Sequence, residues 1–294
     1  MTGATGNVGR EVVRALLARG ISVRTGDRSP ESSAARFGPG VTGARLDFLD
    51  PATFAPAATG CHAVFLLRPP AISNVKATLI PFLGEARRVG VAHVVFLSVA
   101  GAGTNPIVPH HTVETYLTRQ DDNWTILRPG FFAQNLGDAY RRDIAEDDRL
   151  YVPAGSGSVA FVDVADVAEV AALAFASPSQ HRRHAYELTG PEAVPFVHVA
   201  TLLAQALGRP IRYFPASVIG YALHLHRRDL AAAQILVQTV LHVAMRWGQA
   251  DKLDPTLSRL LGRPGRTIAD YIADHLPLWQ RPLDGHEPRG SRNA

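Results

Sequence analysis

Three glycines open the chain at a spacing that can do chemistry. The first ten residues are Met1-Thr2-Gly3-Ala4-Thr5-Gly6-Asn7-Val8-Gly9-Arg10, and Val8, Val12 and Leu16 then fall on one face of a helix. A pyrophosphate needs close approach of the backbone, which a Cβ would block. It also gains from free N–H groups at a helix N-terminus. Glycine at position 6 removes the obstruction, and glycine at position 9 allows the helix to pack tightly. The whole string TGATGNVG is far more specific than a lone glycine pattern. The bland alternative is a helix-start turn that binds nothing.

A second feature lies 18 residues beyond Gly9, where a strand ends in Asp27 and Arg28. The spacing is close to the ~20 residues that separate such a loop from a ribose-binding acid. A carboxylate there accepts from both ribose hydroxyls and repels a 2′-phosphate. An arginine in the next place could instead grip such a phosphate. The two residues pull in opposite directions, and Arg28 could equally be a solvated charge at a strand end.

These groups need a scaffold that brings strand ends together. Short apolar runs at 22–24, 41–46, 63–67, 94–98 and 125–127 alternate with helical patterns at 8–19, 51–58, 73–89 and 112–119. That alternation predicts βαβ units and a doubly wound parallel α/β sheet of Rossmann type. The run Val94-Val95-Phe96-Leu97 is continuously apolar, as a strand covered on both faces requires. The organisation expected is a dinucleotide-binding domain at 1–138, with later strands near 160–163 and 185–189 joining or flanking it. A smaller, mainly helical substrate region follows at 139–280, then a disordered tail at 281–294. Helices are expected at 164–176 and 197–207.

Composition excludes several classes. The chain has 294 residues, 46% apolar and 19% charged, which is an ordinary globular balance. The single cysteine, Cys61, cannot form an internal disulfide, which fits a reducing cytoplasm. The net charge is +4, but the basic residues come in scattered pairs, so no nucleic-acid partner is expected. The longest apolar stretch, 230–245, is broken by Gln234, Gln238 and His242 and falls short of the ~20 residues of a membrane span. It reads as a core helix that could lie at an oligomer interface. No leader segment is evident before the glycine string. No cluster of His, Cys or carboxylates has metal-ligand spacing, so no metal is expected.

The string TGATGNVG resembles the atypical short-chain dehydrogenase/reductases, particularly the NmrA-like family. Further matches fall in register: Asp47-Phe48, LLRPP at 66–70, FLSVAG, HHTVETYL, TILRPGFFAQN, FVDVADVAEVAA, AYELTGPE and LGRPGRT near 261–267. The details are similar to the branch that holds the ergot-alkaloid iminium reductases and their bacterial relatives. Such proteins carry a strand of about five apolar residues before the glycine loop. Here the loop starts at residue 2. The expectation is a true start upstream of Met1, the alternative a truncated and poorly stable protein.

The resemblance implies NAD(P) binding, leaning to NADP(H). It places cofactor contacts at Gly3, Thr5, Gly6, Asn7, Val8 and Gly9 of the loop. Asp27 and Arg28 would hold the ribose, Asp47 and Phe48 would flank the adenine, and Leu67, His110 and Pro129 would line the nicotinamide half. Ser98 fits the family's catalytic serine. The Tyr-x-x-x-Lys pair is absent: His110 occupies the Lys position, and Pro106 stands where the Tyr would be. Tyr116 lies on another helix face. Glu114 keeps the family's spacing from His110 and could be a plain helix-face carboxylate. Phe131, Phe132 and Asn135 would face the substrate, and Asp163 could be only an N-cap.

The activity implied is hydride transfer from NAD(P)H to a small organic acceptor: an iminium, a quinone-like compound or a conjugated carbonyl. Loss of the Tyr narrows the acceptor to groups that do not require a proton from the protein. Ser98 and His110 are the catalytic candidates, with His110 shuttling a proton from an ordinary pKa near ~6.5. The rival reading is a non-catalytic redox sensor that binds NAD(P) and regulates a partner protein. A homo-oligomer is a further expectation.

Overall fold

The computed structural model of the chain describes residues 1–120 and 123–280. The predicted tail at 281–294 lies outside the described residues. The chain divides into two compact units. The first comprises Met1–Gln134, Val159–Ala193 and Ala250–Ile268; the second comprises Asn135–Ser158, Val194–Gln249 and the chain from Ala269 on. Two stretches of the expected substrate region belong to the first unit, because a strand at 184–188 adds to its sheet and a helix at 164–176 packs on its core.

In the first unit the strands are β1 (Val23–Asp27), β2 (Val41–Arg45), β3 (Ala63–Leu67), β4 (His93–Leu97), β5 (Asn123–Pro129) and β6 (His184–Leu188). The helices are α1 (Asn7–Leu17), α2 (Pro30–Ala35), α3 (Phe54–Ala58), α4 (Leu79–Arg88), α5 (Pro109–Arg119) and α6 (Val164–Ala176). β3, β4, β5 and β6 form a parallel four-stranded sheet in that order, and β1 pairs in parallel with β2. Between β1 and β3 stand Met1 and Thr2. The Gly26 amide donates to the Met1 carbonyl at 2.8 Å, and the Thr2 amide donates to the Phe65 carbonyl at 3.0 Å. The glycine loop thus leaves from the middle of a parallel layer, as the α/β reading requires.

β4 shows why its sequence is uninterruptedly apolar. Val95 and Leu97 enter one core with Val8, Val12 and Leu16 of α1 and the alanine-rich face of α6. Val94 and Phe96 enter the opposite core with Phe54, Phe82 and Leu83. Every residue of the strand is buried. The pattern at 73–89 overestimates its helix, which runs only over Leu79–Arg88. Before it, Asn74 accepts from the Ala77 amide at 3.3 Å in a turn.

In the second unit, Arg149–Val152 pairs in parallel with Arg212–Pro215. Helices Arg141–Asp147, Phe196–Leu207, Val218–Arg227 and Ala232–Ala244 belong to it. The stretch at 230–245 is not the core helix that its hydropathy predicts. Its inward residues are Thr239 and His242, while Leu236, at 65% exposure, and Val237, Val240 and Leu241 face outward. Polar chemistry explains the inversion. The His242 Nδ1–H donates to the Gln238 carbonyl at 2.6 Å, which leaves Nε2 to accept from the Tyr140 hydroxyl. Burial holds this imidazole neutral, with its pKa down to about 4.

Candidate functional site

The glycine loop has the geometry of a phosphate cradle. Gly3 has φ +65°, in the left-handed region that glycine favours, and Leu67 packs against it. A Cβ on Gly9 would lie 1.9 Å from the Gly3 carbonyl oxygen, so this glycine is demanded by the loop's own backbone. A Cβ on Gly6 would meet only the Gly3 oxygen, at 3.6 Å, and would project into the space over the helix start. Thr5 and Gly6 are exposed, and Val8 turns into the core. Gly6 is the N-cap of α1, and no side chain caps the helix there. An eleven-residue helix with an uncapped N-terminus beneath a Cβ-free loop fits a dinucleotide pyrophosphate. When bound, NAD(P)H supplies a transferable hydride.

At the end of β1, Asp27 Oδ1 accepts from the Ser29 amide at 3.0 Å. Arg28 is exposed, and its side chain shows no ion pair among the described residues. Asp47 Oδ1 is likewise spent on a turn, accepting from the Leu49 amide at 2.9 Å. The Phe48 ring meets Phe82 edge-on at 5.4 Å inside the core. Leu67, half-buried at the end of β3, donates its amide to Thr2 Oγ1 at 2.8 Å.

The carboxyl ends of β4 and β5 carry a buried ionic network. Glu114 of α5 receives Arg128 Nε at 3.1 Å and Arg128 Nη2 at 2.6 Å, and Ser98 Oγ donates to the same carboxylate. Arg128 Nη1 reaches Glu187 at 3.2 Å. The pairing with Glu114 raises the pKa of Arg128. The Ser98 hydroxyl proton is therefore engaged inside the fold, with the residue 1% exposed. Glu114 is no plain surface carboxylate, since it is 3% exposed and anchors the network. Sequence reading missed Arg128. The available signal was a glutamate on the inward face of α5, which must find a cation when buried.

His110 also departs from expectation. It is 8% exposed, and Arg68 Nε donates to its Nε2 at 3.3 Å. Acceptance at Nε2 places the ring proton on Nδ1, which is buried without a hydrogen-bond partner among the described residues. Burial first, and the Arg68 charge second, bring its pKa down to about 4. It is a neutral imidazole at physiological pH and not a shuttle poised near 6.5. His111 is half-buried, with Nδ1 2.8 Å from the Ala102 carbonyl. Tyr116 lies away from this end: its ring lies under the Arg87 guanidinium, 5.9 Å from it.

The Pro129 carbonyl accepts from the Ala100 amide at 3.0 Å, which ties the β5 exit to the loop after β4. Beyond it, Phe131 meets Phe161 edge-on at 5.8 Å, and Phe132 forms a bridge to Val162. A polar clamp holds this segment. Gln134 Nε2 donates to Asp163 Oδ1 at 2.8 Å, while Arg266 Nε donates to Asp163 Oδ2 at 2.9 Å. Asp163 Oδ1 also caps α6 by accepting from the Ala165 amide at 2.9 Å. The LGRPGRT stretch thus has a local task, reinforced by Arg263 on Asp166 at 2.8 Å. Asn135 belongs to the second unit, where its carbonyl accepts from the Tyr140 amide at 3.0 Å. The described residues hold no group of three or more potential metal ligands, and no described helix is long and apolar enough to cross a membrane.

Comparison with known proteins agrees with this geometry. The NAD(P)H-binding family profile matches residues 3–178. The NAD(P)H azoreductase of Xenophilus azovorans is 32% identical, over 94% of this chain and 96% of that protein. The crystal structure of the NADPH-dependent quinone oxidoreductase QOR2 of Escherichia coli, complexed with NADPH, superposes with a TM-score of 0.82 at 26% identity, covering 94% of this chain and 98% of that one. NmrA, a negative transcriptional regulator solved with NAD, shares the fold, with a TM-score of 0.72 at 18% identity over 94% of each chain.

Proposed function

We propose that this chain, which belongs to the NmrA-like branch of the NAD(P)H-binding short-chain dehydrogenase/reductases, catalyses hydride transfer from NADPH to a conjugated organic acceptor. The acceptor classes are a quinone-like compound, a conjugated carbonyl or an iminium. The observation that carries the reading is the state of the two protic groups at the carboxyl end of the sheet. The Ser98 hydroxyl donates its hydrogen bond to Glu114, and His110 is a neutral ring engaged by Arg68. Neither is a free acid for alcohol formation, which suits acceptors whose product can take its proton from water.

The chain's own residues would act as follows. The loop over Gly6 and the uncapped start of α1 bind the pyrophosphate. Arg28, exposed beside Asp27, receives the 2′-phosphate and favours NADPH. The clamp through Gln134 and Asp163 fixes the Phe131–Phe132 segment, whose rings offer an apolar surface to a planar acceptor. The azoreductase and quinone oxidoreductase relatives support an acceptor of this kind.

The test is a spectrophotometric screen of NADPH oxidation with quinones, enones, cyclic iminium salts and simple ketones. Turnover with conjugated acceptors and none with simple ketones is expected. Turnover confined to simple ketones would overturn the acceptor reading. Tight nucleotide binding with no turnover at all would favour a redox-sensing regulator, the reading that the fold of NmrA supports.

A further inference from the structure

Arg68 directly follows β3, at the carboxyl edge of the parallel sheet, where open α/β sheets place their ligands. The residue before it, Leu67, packs on Gly3 of the phosphate loop and donates its amide to Thr2. The guanidinium is half-buried and held on several sides. Nη1 donates to the carbonyls of Pro69 at 3.2 Å, Pro70 at 3.3 Å and Ile72 at 2.6 Å, and Nε donates to His110 Nε2 at 3.3 Å. Each of these partners is neutral. Burial lowers the pKa of Arg68, and no carboxylate among the described residues pairs with it to offset that cost. A partly desolvated cation with only neutral partners is expensive unless an anion arrives to meet it. A guanidinium already fixed in place needs no reorganisation when that charge appears.

We propose that Arg68 stabilises the negative charge that develops on the oxygen of a quinone-like or conjugated carbonyl acceptor, taking the electrostatic part that a Tyr–Lys pair would otherwise play. The assignment rests on the hydride-transfer reading above and narrows its acceptor to one that carries oxygen. The balance is simple. NADPH gives a hydride and ends as NADP⁺. A C–H bond forms at the accepting carbon, and the conjugated π pair moves out to oxygen. The oxyanion later takes a proton from water. An iminium acceptor has the opposite requirement: it carries its positive charge before hydride arrives, so a fixed cation beside it opposes its binding.

The experiment uses the full chain with Arg68→Gln, Arg68→Met and Arg68→Lys. In the NADP⁺ complex, 4-nitrophenol serves as a chromophoric probe of oxyanion binding. Wild type is expected to lower the pH at which the bound phenol ionises, Arg68→Lys to retain part of that shift, and the two neutral variants to abolish it. NADPH affinity should stay within about twofold, because Arg68 is not assigned to the cofactor. Quinone reduction should fall about a hundredfold in the neutral variants, while reduction of a cyclic iminium should hold or rise. Arg68→Gln keeps a donor for the Ile72 carbonyl, so it carries the test if Arg68→Met does not fold. An unshifted phenol in wild type, an equal fall with both acceptors, or a parallel loss of NADPH affinity overturns the assignment. If wild type turns over no acceptor, the functional reading fails by itself, and the phenol titration still decides Arg68.

Discussion

The two ends of the first unit's site are built in opposite ways. At the glycine loop the working atoms are backbone N–H groups on an exposed turn, with Gly6 open to the surroundings and no side chain closing the start of α1. At the carboxyl end of β4 the polar atoms are those of side chains, and Ser98, Glu114 and His110 are all buried. Backbone amides need no titration and no partner to be ready for a phosphate. Buried hydroxyls, carboxylates and imidazoles take their protonation and pairing from whatever the fold packs around them. The comparison teaches that the exposed positions of the glycine loop can be changed with little effect on the core, whereas the buried network cannot be changed without disturbing stability.

The sharpest break of this contrast lies inside the loop itself. Gly9→Ala places a Cβ 1.9 Å from the Gly3 oxygen, and the backbone must move. Loss of nucleotide binding and a large fall in melting temperature are expected together. Gly6→Val faces open space on the protein side, so the variant should fold with a near-normal melting temperature and lose nucleotide binding. Unchanged affinity in folded Gly6→Val would remove the phosphate assignment.

Glu114→Gln comes next. It leaves the Arg128 guanidinium without its principal carboxylate in a largely buried position and should cost about 3 kcal/mol, read by urea unfolding. Ser98→Ala removes one hydrogen bond to the same carboxylate and should cost about 1 kcal/mol. Equal effects from the two would show that the network is not centred on Glu114.

The buried histidines give a pH dependence. His110 and His93 have pKa values brought down to about 4, in both cases chiefly by burial. Below the ordinary histidine value of about 6.5 the unfolded chain binds protons that the folded chain refuses, so stability falls with pH from there until the folded values are reached. The loss is on the order of 3 kcal/mol per histidine at pH 4. Chemical denaturation at steps between pH 7 and 4 measures it. A flat stability profile would mean that these rings are protonated in the fold.

A further expected effect concerns cofactor choice. Arg28→Ala should weaken NADPH by roughly ten- to a hundredfold and leave NADH nearly unchanged. Asp27→Ser should strengthen NADPH and weaken NADH. A loss from Arg28→Ala that is equal for both nucleotides would make Arg28 structural, and Asp27 would then be the ribose ligand of an NADH-preferring protein.

By itself the sequence determined the parallel α/β scaffold and the glycine loop at the start of α1. Both depend on local rules: glycines at positions 3, 6 and 9, the amphipathic run of α1, and β-strand runs such as Ala63–Leu67, which fall where expected. It also offered Asp163 as a cap, because an aspartate before a helical run satisfies its own neighbours' amides. Tertiary structure decided what the local rules could not reach. Phe48 and His110 lie in the core because α4 and β4 bring Phe82 and Phe96 against them. Arg128 meets Glu114 because β5 lies next to β4 and α5. The helix Ala232–Ala244 turns its leucines and valines outward because Tyr140, distant in sequence, supplies a partner for His242. Hydropathy weighs residues one at a time. Burial and protonation depend on neighbours that only the folded chain brings together.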